Sequence, residues 1–109
     1  MATTYKVLGQ ITTVANTGTT LYTVPAATST VCSTIVVCNQ AASAATFRIA
    51  VRPSGAAIEA KHYLSYNTTI NANDSITITI GITLATTDVV TVTASTTTVS
   101  FNLFGSELT

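Results

Sequence analysis

The chain has 109 residues, 47 % of them hydrophobic and only 7 % charged, and its four basic and four acidic side chains cancel. That length fits one domain with a modest core. High hydrophobicity excludes intrinsic disorder, and threonine breaks every apolar run short of the roughly 18 residues a membrane-spanning helix needs.

Lys6, Arg48, Arg52 and Lys61 are too few and too scattered to bind nucleic acid through counterion release. With so little charge and a mean hydropathy of +0.50, the surface must be largely threonine, serine, alanine and asparagine. Net charge near zero favours association over solubility. The composition therefore predicts a chain that ends much of its surface against another protein.

In chain order, apolar residues recur at period two, which predicts an all-β chain. Residues 1–19 stand apart from the domain at 20–109. They hold a strand at Tyr5 to Leu8, then Gly9 and a weakly patterned stretch. This segment reads either as an ordinary first strand or as an N-terminal arm that pairs with a neighbouring subunit. "TLYTV" (20–24) is a short strand closed by Pro25. "TVCSTIVVCN" (30–39) is apolar on both parities and belongs at the centre of a sheet. "TFRIAVRP" (46–53) puts Phe47, Ile49 and Val51 inward and Arg48, Ala50 and Arg52 outward. "RPSGAA" (52–57) is a turn, "HYLSYN" (62–67) a strand and "INAND" (70–74) a turn.

"SITITIGITL" (75–84) alternates without a charge: Ile76, Ile78, Ile80, Ile82 and Leu84 on one face, Thr77, Thr79, Gly81 and Thr83 on the other. Its isoleucine face is expected to pack into the core, at about 2 kcal/mol for each fully buried isoleucine. An exposed strand edge is normally guarded by lysine, proline or a bulge, and only Gly81 here suggests a bulge. Either this strand is central or a partner covers its edge. After the loop 85–88, "VVTVTAS" (89–95) and "TVSFNLFG" (98–105) read as a closing hairpin. Seven or eight short strands with turns between them predict one antiparallel β-sandwich, jelly-roll or immunoglobulin-like.

Few residues could carry chemistry. Cys32 and Cys38 lie on one strand, so they should share a face about 20 Å apart, beyond the roughly 7 Å that a disulfide spans. They read as two small buried thiols in a reducing compartment. His62 is the only histidine, too little for a metal site, so neither a metal nor another cofactor is expected. There is no nucleophile elbow and no glycine-rich oxyanion loop, and Glu59 and His62 read as a solvated loop and strand start. No enzyme activity is expected. "NTT" (67–69) and "NDS" (73–75) match the glycosylation pattern by coincidence.

Lys61, His62, Tyr63 and Tyr66 share one short strand, and Arg48 and Arg52 share an outward face about 13 Å apart. Tyrosine and arginine are favoured where proteins meet. Arg48, Arg52, His62, Tyr63 and Tyr66, with Tyr5 and Lys6 of the first segment, are the candidate contact residues. Met1 to Lys6 lacks the basic start and apolar core of a secretory signal, which predicts synthesis in a cytoplasm.

The blocks "TLYTVPAATSTV", "STIVVCNQ", "ATFRIAVRPSGA", "KHYLSYN", "INANDSITITIGITLATTDVVTV" and "VSFNLFGSEL" together resemble small virion structural proteins of tailed bacteriophages, cyanophages among them. The resemblance runs from about Leu21 to the end, and "MATTYKVLGQ" is similar as well. It implies a β-sandwich of the virus particle, made in the host cytoplasm. Proteins of this kind serve as capsid cement or decoration proteins, often as trimers at capsomer junctions. The implied partners are the major capsid protein or other virion proteins, together with further copies of the chain, a trimer being favoured. Neither nucleic acid nor membrane is an expected partner. The alternatives are a neck, tail or baseplate component, or a receptor- or carbohydrate-binding module. The absence of tryptophan weighs against the last. The family has no catalytic motif to transfer.

Overall fold

A computed structural model describes residues 2–109. Eight strands follow in order: β1 (Thr3–Thr12), β2 (Thr19–Thr23), β3 (Ser29–Asn39), β4 (Ala45–Arg52), β5 (Tyr63–Ile70), β6 (Ser75–Leu84), β7 (Val89–Ala94) and β8 (Val99–Leu108). Two single 3-10 turns, Pro53–Gly55 and Ala60–His62, lie between β4 and β5. No helix among the described residues is long and apolar enough to cross a membrane.

The strands form two antiparallel sheets of four, ordered β1-β8-β3-β6 and β2-β7-β4-β5. β1 pairs with β8, β2 with β7, β3 with β6 and β4 with β5. The chain is thus one long hairpin turned at residues 53–62 and rolled up, and the pairs β3–β8 and β4–β7 close the roll. Only β4 and β5 are consecutive neighbours within a sheet. An immunoglobulin sandwich joins several consecutive strands within one sheet. This order is the jelly roll.

The core lies between the sheets. Phe101 of β8 meets Phe47 of β4 edge to face, with centroids 6.2 Å apart. Ile35, Val37, Ile49, Ile70, Val92 and Leu103 fill in around them, each at most 1 % exposed. This geometry adds directional attraction to ordinary burial. β3, apolar on both parities, lies between β8 and β6.

Three sequence expectations change. β7 and β8 are not a hairpin. Ser95 N–H donates to Thr46 O of one sheet, while Gln40 N–H donates to Thr98 O at the end of the other. The link between them therefore crosses the sandwich, and a crossing of that length has the spacing of a hairpin loop. Next, the two cysteines do not share a face. Between Cys32 and Thr34 the register shifts against both β8 and β6. Thr30 and Cys32 point inward before the bulge, Ile35, Val37 and Asn39 after it, so Cys38 turns out and is only half-buried. An extra residue in a strand reverses the faces beyond it. Both thiols are free. Burial pushes the Cys32 thiol up to about 11. Native alkylation is therefore expected to label Cys38 well before Cys32, read by peptide mass spectrometry. Equal labelling would refute the bulged register.

Finally, the isoleucines of β6 are only half-buried against the core, and of its inward row Leu84 alone is buried. The strand lies at a sheet edge and pairs with β3 alone.

Candidate interaction surface

β1 lies along β8 of its own chain from Thr3 to Thr12, and Ala2 and Thr109 extend the pair by exchanging two backbone hydrogen bonds. Of the seven candidate contact residues, Arg48, Arg52, Tyr63 and Tyr66 lie on one outer face of the sandwich and Tyr5 on the opposite one, while His62 and Lys6 turn away from both.

The first face is the outside of β2-β7-β4-β5. Arg48 points outward from β4, and its Nε donates to Asn67 Oδ1 at 2.7 Å. Its guanidinium lies 4.1 Å from the Tyr66 ring centroid and 6.0 Å from that of Tyr63. The two tyrosine rings meet edge to face at 4.9 Å. Each cation–π contact contributes about 0.5–1 kcal/mol at an exposed site, and together they hold a long side chain in one place. Asn67 adopts φ 50°, a left-handed conformation that asparagine tolerates, and this turns its amide toward Arg48.

Arg52 does different work. Its Nε donates to Thr91 Oγ1 at 3.0 Å, and Nη1 donates to Gly55 O at 3.3 Å and Ala56 O at 3.0 Å. It pins the 3-10 turn after β4. Among the described residues no acidic side chain pairs with either arginine; the two ion pairs are Lys6–Glu107 and Lys61–Glu59. Arg48, Ala50, Arg52, Ile58 and Tyr63 surround one hollow with Thr91 and Thr93. Ile58 and Tyr66 remain 46 % and 57 % exposed at its side. The surface is thus apolar and aromatic with two cations that lack a carboxylate.

His62 does not join it. The 3-10 turn tucks its ring inward to 7 % exposure, and Nδ1 accepts the Glu59 N–H at 3.1 Å. Expected at the surface beside the tyrosines, it organises the loop from beneath. Ile58 and Asn67 complete the surface and carry no sequence signal, because one sits in an irregular loop and the other's role depends on Arg48 across the sheet.

The opposite face is the outside of β1-β8-β3-β6. Tyr5 is 83 % exposed there, with Val7 at 46 % and Val31 at 36 %. With Ser33, Phe104 and Ser106 they line a shallow apolar hollow. Lys6 turns to the other side of β1 and pairs with Glu107 at 3.2 Å.

Glu107 also accepts the Tyr22 hydroxyl, which in turn lies 2.8 Å from the Thr30 hydroxyl. Four strands meet in this network. Burial pushes the Tyr22 hydroxyl up. The Tyr22 hydrogen bond, then Lys6, holds Glu107 below its ordinary 4.5 against an opposing effect of burial. A carboxyl lowered in the folded state stabilises above its unfolded value and loses that contribution as pH falls through the folded one. Thermal melts should show the wild type losing stability on acidification from pH 4.5 downward, and E107Q should lose less. An identical acid limb in both proteins would exclude Glu107 from acid unfolding.

Among the described residues no three of His, Cys, Asp or Glu come together. Fold and surface define a jelly-roll sandwich whose prominent exposed features are two apolar and aromatic patches on opposite faces. No protein-family model matches the chain, and no curated protein matches it in sequence. Among solved structures, a chain of "Structure of infectious bursal disease virus Gt strain" superposes with a TM-score of 0.47 and 10 % identity. The match covers 96 % of this chain and 31 % of that one, so this chain spans about a third of its length. At that identity no residue takes a role from it.

Proposed function

We propose that this chain is a non-enzymatic structural protein of a virus particle, acting as a cement or decoration protein that bridges neighbouring capsid subunits. One observation carries the reading: the sandwich presents exposed apolar and aromatic patches on both outer faces, Tyr5 with Val7 on one and Tyr66 with Ile58 on the other. A part that ties two neighbours together needs two such surfaces. The low charge and threonine-rich composition suit a protein kept in contact with others, and the resemblance to phage virion proteins points the same way.

On this reading Arg48, held over Tyr66, presents its guanidinium to carboxylates of a capsid subunit. Arginine and tyrosine are the residues most often dominant at the centre of an interface. Many copies on a symmetric shell add avidity to each modest contact.

The first test is the number of copies in purified particles, measured by quantitative mass spectrometry against the major capsid protein. A count that follows the capsid lattice supports cement. A count of one ring moves the protein to neck, tail or baseplate, and absence from particles overturns the structural reading. R48A and Y66A should fold normally and lose about tenfold or more in shell binding.

A further inference from the structure

The strand order leaves four sheet edges: β1 and β6 on one sheet, β2 and β5 on the other. Three of them are guarded. β2 is only five residues long. β1 carries Lys6 and is bulged between Val7 and Gly9. β5 is interrupted by the left-handed Asn67, and its register against β4 shifts twice. These are the ordinary protections of an edge. β6 has ten residues, no proline and no charge. Its irregularity lies at Gly81, and from Ser75 to Thr79 it follows β3 without a shift.

We infer that β6 pairs edge to edge with β6 of a second copy, antiparallel about a two-fold axis, so that two β1-β8-β3-β6 sheets continue as one. An open strand edge is a row of main-chain donors and acceptors, and the group that satisfies such a row is another strand.

Three features select a second copy of this chain as that strand. The first is symmetry. With the axis at Ile78, Ile76 faces Ile80 of the partner subunit and Thr77 faces Thr79 of the partner subunit. Ile76, Ile78 and Ile80 thus meet isoleucine, and Thr77 and Thr79 meet threonine. The second is charge. A strand paired with itself near a two-fold axis sets any charge close to its own sign, which is destabilising. β6 has none to oppose. The third is burial. Ile76, Ile78, Ile80 and Ile82 pack against the core but stay half-exposed. A partner's isoleucines would extend the same apolar row and cover that flank. Each copy has one such edge, so the contact closes on itself and forms no fibre. The inference stands apart from the virion reading and would hold for the free chain.

Sedimentation velocity on the purified full chain, from low micromolar to near-millimolar protein, tests it. The wild type should pass from monomer to dimer with concentration. T77K/T79K sets lysines opposite one another across the axis and should raise the dissociation constant about tenfold or more. Both threonines are exposed, so its melting temperature should match the wild type. Hydrogen exchange of the wild type gives an independent reading, in which amides of residues 75–80 should slow as protein concentration rises. A wild type that stays monomeric throughout overturns the proposal. So does a dimer that keeps its affinity in T77K/T79K and leaves β6 exchange unchanged.

Discussion

Gly105→Ala is expected to remove about 3 kcal/mol or more of folding stability, although it adds a single methyl group to a half-buried strand position. A Cβ there would stand 2.0 Å from Val31 O and 3.0 Å from Cys32 Cα. Both obstacles are backbone, so no side chain can swing aside. Gly105 faces Cys32 on β3 and Lys6 on β1, where β3 takes its extra residue and bends. Relief would require parting β3 from β8, the two inner strands of the sheet. At about 4–8 °C per kcal/mol for a domain of this size, the melting temperature should fall by about 15 °C.

The control is Gly18→Ala, whose Cβ would meet only Thr91 Cγ2 at 3.5 Å and Thr93 Oγ1 at 3.6 Å. That is ordinary contact, and the change should stay within about 0.5 kcal/mol. Circular-dichroism melts of both variants decide the matter. A Gly105→Ala protein that melts within a few degrees of wild type would mean that the two strands do not approach as described. Gly9→Ala belongs with Gly105→Ala, since its Cβ would lie 2.3 Å from Leu21 O.

These two glycines mark what the sequence leaves hidden. Strand positions are legible because alternation is local: Phe47, Ile49 and Val51 declare their own face, and the unbroken apolarity of residues 30–39 places them inside a sheet. Nothing around Gly105 announces that Val31 will come so near, because β3 and β8 are distant in sequence. The Cys32–Cys38 relation fails for a related reason. A bulge reverses the alternation of its strand, but residues 30–39 are apolar on both parities and so hide the reversal. The candidate contact residues divide the same way. Arg48, Tyr63 and Tyr66 are conspicuous by residue type and come together on one face. His62 is equally conspicuous and ends beneath the surface, because it is the last residue of a 3-10 turn that periodicity does not reveal. Lys6 is spent on Glu107, a partner about a hundred residues away. The edge of β6 is half legible: its lack of charge and proline is written in the residues, and only the strand order decides that it lies at an edge.

Asn39→Asp should cost about as much as the glycine change, for an electrostatic reason. Asn39 is 1 % exposed at the end of β3. Its amide nitrogen donates to Ser43 O at 2.8 Å and Asn71 O at 3.2 Å. Its amide oxygen accepts Ala41 N–H at 3.1 Å and the Thr98 hydroxyl at 3.3 Å. One side chain therefore ties together the link after β3, the link after β5 and the link after β7. The backbone follows the same plan, with Asn73 N–H on Ala41 O at 2.9 Å and Gln40 N–H on Thr98 O at 3.0 Å. Aspartate has the same shape but no N–H. It would leave the part-buried Ser43 and Asn71 carbonyls without their donor and aim a carboxylate at them, where each unmade hydrogen bond costs about 1–3 kcal/mol and more for a charged group. The expected loss is about 3 kcal/mol, with faster hydrogen exchange at Ala41 and Asn73. Asn16→Asp, in an exposed loop, should change stability by no more than about 0.5 kcal/mol. Because the substitution keeps the volume, any loss at residue 39 measures polar satisfaction and not packing. Wild-type stability in Asn39→Asp would show that the three links hold without it. The predicted loss would place the specification of the roll at this end, where strands that cross between sheets must each turn at a fixed point, in a single buried amide.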